Sequence, residues 1–112
     1  LIVLNDVLFE VNSFHLRAGV HAQLDSIAAF IINNEKLRVN VTGHTDPTGG
    51  EAHNQRLSEN RARVVAEYLV EQGVPASRVA FQGYGSAQPR AENTTEEGRK
   101  RNRRVEIHLT KE

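Results

Sequence analysis

The alternation Leu37-Arg38-Val39-Asn40-Val41, and the long helical pattern that soon follows it, constrain this chain more than any other feature. Apolar side chains at every second position place one face of a strand against a core. From about Glu51 to Gln72 the period changes. Leu57, Arg61, Val64, Val65, Tyr68 and Leu69 share one helical face, and Gly73 supplies a stop. Between strand and helix lies GHTDPTGG, Gly43 to Gly50.

The rest of the chain repeats this grammar. Residues 1–9 read as extended, in two β-rich runs, LIVL and VLF, parted by the turn or bulge signal Asn5-Asp6. EVNSF, residues 10–14, reads as a loop. From Leu16 to about Ile32 the apolar residues Leu16, Val20, Leu24, Ile27, Ala28 and Ile31 have helical spacing, and Asn33-Asn34 ends the run. Pro75-Ala76-Ser77 is a turn, Arg78 to Tyr84 a third strand, and 85–98 a loop. Arg103 to Thr110 alternates again, with Val105, Ile107 and Leu109 on one side and Arg104, Glu106 and His108 on the other. The order is β-α-β-α-β-β. Helical connections favour parallel neighbours. The expected fold is an α/β sandwich, one mixed sheet with the helices packed on one face.

With 112 residues the chain suits a single domain, 1–112, able to bury one core without staples. It opens inside a strand-like run, Leu1 to Leu4, which reads as a domain excised from a longer, exported protein. No apolar run approaches the ~20 residues that span a bilayer. Absence of cysteine rules out disulfides, thiolate metal sites and a cysteine nucleophile.

Charge and motif content weigh against two function classes. Lys plus Arg and Asp plus Glu balance at 14 each, so no global field draws the chain to nucleic acid. The run Arg99-Lys100-Arg101-Asn102-Arg103-Arg104 follows Glu96-Glu97 and reads as a solvated helix turn leading into the last strand. For catalysis, His44, Asp46 and His53 are the available acid–base set. Pro47 turns the backbone at that point, and neither an H-E-x-x-H helix nor a G-x-S-x-G elbow is present. His44 is read as a structural histidine bonding to the backbone, and the chain as a non-enzyme needing neither cofactor nor metal.

What remains is binding. Ligands of open α/β sheets sit beyond the carboxyl ends of strands, where GHTDPTGG lies. Asn54, Leu57, Ser58 and Arg61 fall at i, i+3, i+4 and i+7 of the following helix and line one face. Were that helix to fold back beside the strand, Asp46 and Arg61 would face one cleft. A carboxylate takes an ammonium and a guanidinium takes a carboxylate, so the pair suits a zwitterion such as the end of an amino acid. The other reading is that Asp46 and Arg61 pair with each other as a structural salt bridge.

The run GHTDPTGGEAHNQRLSENRARVVAEYL resembles the OmpA-like peptidoglycan-binding domain, with GHTD closing a strand and a helix opening N-x-x-L-S-x-x-R-A at Asn54, Leu57, Ser58, Arg61 and Ala62. The likeness extends to Val7-Leu8-Phe9 and Asn12, to Gly83-Tyr84-Gly85, Pro89 and Asn93, and to Gly98-Arg99 and Asn102-Arg103-Arg104-Val105. It implies non-covalent binding of peptidoglycan through the meso-diaminopimelate of the stem peptide, without cleavage. It implies that Asp46 takes an ammonium of that residue and Arg61 its carboxylate, with Asn12, Asn54 and Leu57 lining the pocket. Thr48 and Gly49 add loop contacts. It also implies a periplasmic place in a Gram-negative envelope, contact with a membrane only through a tether outside this chain, and a largely structural role for Asn102-Arg103-Arg104-Val105. One departure is Glu10, where many relatives carry Asp; the added methylene can shift a carboxylate by roughly 1 Å or more. The competing expectation is a protein-interaction module of an envelope complex that does not bind the wall.

Overall fold

The computed structural model describes residues 1–5, 9 and 13–111. Among the described residues the elements are β1 (Ile2–Asn5), α1 (His21–Ile32), β2 (Leu37–His44), α2 (Glu51–Glu71), a 3-10 turn at Ala76–Arg78, β3 (Val79–Gly83), α3 (Glu96–Asn102) and β4 (Arg104–Lys111). The strands form one sheet in the order β1-β4-β2-β3. β2 and β3 run parallel, with Val41 opposite Phe81, as a helical crossover through α2 requires. β4 runs antiparallel to β1 on one side and to β2 on the other. The sheet is therefore mixed, as expected. The parallel strands β1 and β2, joined through α1, are separated by β4.

Alternation decides which side of the sheet is dry. Val39 and Val41 of β2, Val105 and Ile107 of β4, and Leu4 of β1 join Leu24, Ala28 and Ile31 of α1 and Ala62, Val65, Ala66 and Leu69 of α2 in one buried cluster. The α1 residues fall at i, i+4 and i+7, the stripe a helix needs to lie on a sheet. The opposite face is polar. Thr42, His44, Arg104 and Glu106 are buried there, and the loop after β3 covers them: Gln88 accepts from Arg104, and Arg90 pairs with Glu106.

Two glycines let α2 sit close to the sheet. A Cβ on Gly43 would stand 2.0 Å from the Ser58 carbonyl oxygen, and one on Gly83 2.4 Å from the Glu59 nitrogen. Only glycine admits so close an approach of helix backbone to strand.

Several boundaries differ from expectation, among them β2, which runs on to His44 instead of ending at Val41, and β3, which spans Val79–Gly83 instead of Arg78–Tyr84. The first helix begins at His21, not Leu16, because Gly19 has φ 91°, outside the helical region. Leu16 instead bridges Phe9, and Leu16 and Val20 still pack on the core, so their spacing reported burial without helix. The segment expected to be loop up to residue 98 already holds the start of α3. Thr95 caps that helix by accepting from the Gly98 nitrogen at 3.0 Å; Glu96 and Glu97 lie in its first turn and basic residues in its last, complementing its dipole. The final strand starts at Arg104, one residue later than expected. The VLF run and the 10–14 loop fall mostly on residues that lie outside the described ones.

Candidate functional site

β2 ends at His44, and the chain turns at once. The Thr45 nitrogen donates to the Gly85 carbonyl at 2.8 Å, and the Tyr84 nitrogen to the Gly43 carbonyl at 3.0 Å, so the loop is tied to the exit of β3. Asp46 is buried. Its Oδ1 accepts from the Thr48 nitrogen at 2.8 Å, the local turn that an aspartate before Pro47 favours. Its Oδ2 accepts from Arg103 Nη1 at 2.7 Å. Its carbonyl accepts from Asn54 Nδ2 at 3.2 Å. Burial pushes the Asp46 carboxyl up, but the hydrogen bonds from Arg103 and Thr48 outweigh it and hold the group below the usual carboxylate range.

Asn54 is the joint between loop and helix. It is buried in the first turn of α2, and its nitrogen donates to the Gly50 carbonyl. Ser58 follows one turn on; its hydroxyl donates to the Gln55 carbonyl and accepts from the Gly85 nitrogen, both at 2.9 Å. Arg61 completes the stripe, about 10 Å along the axis from Asn54. It is 5% exposed, donates from Nε to the Ser13 carbonyl at 2.9 Å, and sets its guanidinium 4.9 Å from the centre of the Phe9 ring. Asp46 and Arg61 thus border one side of the opening turns of α2, the first anchored through Asn54 and the second through Ser13.

The other expected site residues distribute as follows. Thr48 and Gly49 are exposed on the loop, and Gly49 has φ 96° and lies beside His53 and Asn54. Leu57 is half-buried. Asn12 and Glu10 lie outside the described residues. Ser13, next to Asn12 in the chain, is the residue that receives Arg61.

His44 bonds differently from expectation. Its Nε2 lies 2.9 Å from the Thr42 hydroxyl, a side chain and not the backbone, and its ring stacks on Tyr84 at 5.6 Å. Among the described residues its Nδ1 meets no hydrogen-bond partner. Burial, then Arg104, holds its pKa down to about 4, so the ring is neutral at ordinary pH. Among the described residues no three His, Asp or Glu side chains converge as a metal site would require, and no helix is long and apolar enough to cross a membrane.

Sequence reasoning missed Arg103 as a site residue. It was read as part of a solvated basic run and, through the resemblance, of a largely structural segment; Arg99, Arg103 and Arg104 of that run are engaged internally, with Glu96, with Asp46 and Glu96, and with Glu106. The signal was the strand pairing. His44 stands opposite Arg104, so the residue before Arg104 reaches the loop that follows His44.

Residues 8–103 match the model of the OmpA family. The probable lipoprotein YiaD of Escherichia coli (strain K12) is 46% identical over 106 residues, covering 95% of this chain and 48% of that protein. The peptidoglycan-binding protein ArfA of Mycobacterium tuberculosis is 53% identical over 70 residues, covering 62% of this chain and 22% of that protein. The chain therefore spans less than half the length of these curated relatives. Among solved structures, the cell wall anchor of the T6SS from Pseudomonas aeruginosa superposes with a TM-score of 0.87 at 36% identity, covering 98% of this chain and 80% of that one.

Proposed function

The chain belongs to the OmpA family, and from that premise we propose that it binds peptidoglycan without cleaving it, through the meso-diaminopimelate of the stem peptide. The observation that carries this reading is a buried carboxylate, Asp46, and a buried guanidinium, Arg61, bordering the same side of α2 with Asn54 between them. A buried anion and a buried cation along one side of α2 suit a ligand end bearing both an ammonium and a carboxylate. Relatives whose names state peptidoglycan binding or cell wall anchoring support the same reading. In it, Asp46 takes the ammonium, Arg61 the carboxylate, and Asn12, Asn54, Leu57, Thr48 and Gly49 shape the pocket.

The whole of residues 1–112 acts as one wall-anchoring domain of a longer envelope protein. Its place is the periplasm, with any membrane attachment outside these residues. In this reading it is not an enzyme: His44 is enclosed, and with its pKa held down to about 4 it is too weak a base to take up a proton near neutral pH.

The test is an NMR titration of the labelled domain with two stem peptides, one carrying meso-diaminopimelate and one lysine in its place. The first should shift Asp46, Asn54 and Arg61, and the second should not. Asp46→Ala and Arg61→Ala should each lose about 2–5 kcal/mol of binding while remaining folded, because each leaves a ligand charge unpaired in the complex. Wild-type affinity in either folded variant would sink the site assignment. Silence towards both peptides would favour an envelope protein-interaction module. Intact peptide at the end of the titration checks the non-enzymatic reading.

A further inference from the structure

The Asp46 side chain is 7% exposed, and both of its oxygens are already occupied: Oδ1 by the Thr48 nitrogen and Oδ2 by Arg103. The Arg103 guanidinium therefore sits where the ammonium of a ligand would have to come. Nothing about a binding carboxylate requires this; a carboxylate waiting for a cation is ordinarily left open to solvent.

Arg103 is also not committed to Asp46 alone. Nη1 goes to Asp46 at 2.7 Å while Nη2 goes to Glu96 Oε1 at 2.9 Å. Glu96 is at the start of α3 and Arg103 just past its end, so the side chain runs back along the helix to reach it. The two anions differ: the Asp46 side chain is nearly enclosed, whereas the Glu96 side chain is 67% exposed. An arginine strung between them can let go of the inner one while keeping the outer one.

From this we infer that Arg103 is a displaceable internal counterion of the binding site, which occupies Asp46 in the free protein and withdraws onto Glu96 when a ligand ammonium enters. The inference rests on the ammonium-binding role proposed for Asp46. Two consequences follow. The apparent affinity is lowered by the fraction of molecules in which Arg103 holds Asp46, since only the remainder can receive the ligand. The latch leaves selectivity untouched: displacing Arg103 costs the same whichever ammonium enters, so the factor cancels from the ratio of two ligands that both use Asp46.

The experiment compares wild type, Arg103→Ala, Arg103→Gln and Glu96→Gln by calorimetric titration with the meso-diaminopimelate and lysine stem peptides, with thermal melts to verify folding. If the latch exists, the Arg103 variants bind the diaminopimelate peptide roughly three- to tenfold more tightly, the size expected for loss of a partly exposed ion pair. The ratio between the two peptides stays the same in those variants, because the displaced guanidinium is a cost common to both. Glu96→Gln, at an exposed position, removes the outer anion and should weaken binding about threefold. Weaker binding in the folded Arg103 variants would make Arg103 a positioning residue and overturn the latch while leaving the clamp intact. Unchanged affinity in Glu96→Gln would overturn the exchange. Silence of wild type and Arg103 variants alike towards the diaminopimelate peptide would overturn the clamp, and the latch with it.

Discussion

His44 ends β2 as a neutral, nearly enclosed ring packed among Thr42, Arg104, Glu106, His108 and Tyr84. A histidine in an unfolded chain titrates near 6.5, and here burial and Arg104 hold it near 4. Between those values the unfolded chain takes up a proton that the fold refuses, so stability falls as pH drops through that window. The loss attributable to His44 should reach about 3 kcal/mol at the lower end. Below it Asp46 and Glu106, whose folded carboxyls lie below the ordinary range, give up their own stabilisation as they are protonated. Urea unfolding across pH 7 to 4 checks this: His44→Gln should flatten the upper part of the slope, and an unaltered slope would place the titrating group elsewhere. At this scale, residue types in Asp46, Asn54 and Arg61 announced charged chemistry without the resemblance. Arg103 did not, because it enters through a pairing between strands far apart in sequence, and no local spacing encodes that.

Between elements, the closest contact is that of α2 with the ends of β2 and β3. Gly43 and Gly83 are the cause, and their substitution is the sharpest probe of it. Gly43→Ala would drive a methyl into the Ser58 carbonyl, and Gly83→Ala into the Glu59 nitrogen; both are backbone atoms that cannot rotate aside. Each should cost about 1–3 kcal/mol or more, read as a lowered melting temperature. Near wild-type melting in both would mean that α2 can back away from the sheet. The helices themselves were unevenly legible. α2 showed a stripe of apolar residues and a glycine stop. The start of α1 was misplaced because Leu16 and Val20 are apolar and in phase, while the break lies in one positive φ at Gly19. α3 is seven residues long, too short to show a period, and is held by other means. Thr95 caps it, and Asn102 at its end accepts from the Arg90 and Ala91 nitrogens and donates to the Ala91 carbonyl and Asn93 Oδ1. Such long-range polar satisfaction leaves no periodic trace in sequence.

Across the whole molecule, the sheet has one dry face and one polar face, and β4 crosses its middle. The polar face is closed by groups that satisfy one another. Arg104 reaches Glu106, the Asn102 carbonyl and the Gln88 carbonyl, while Glu106 also meets Arg90 and His108. The strand count was readable from alternation and the mixed character from the connections, but the order β1-β4-β2-β3 was not, since the pattern says which face a strand shows and not which neighbour it takes. Among the described residues β1 pairs with β4 alone, and β4 is the strand that joins it to β2. Removing residues 104–111 should therefore abolish cooperative unfolding and amide protection throughout, not merely fray an edge; a sharp residual transition in the shortened chain would contradict this. The placement also governs timing. In a chain that emerges end-first from a ribosome or a narrow pore, the central strand of this sheet arrives after the other three. Until it does, the polypeptide stays loose enough to thread, and compaction comes late and all at once.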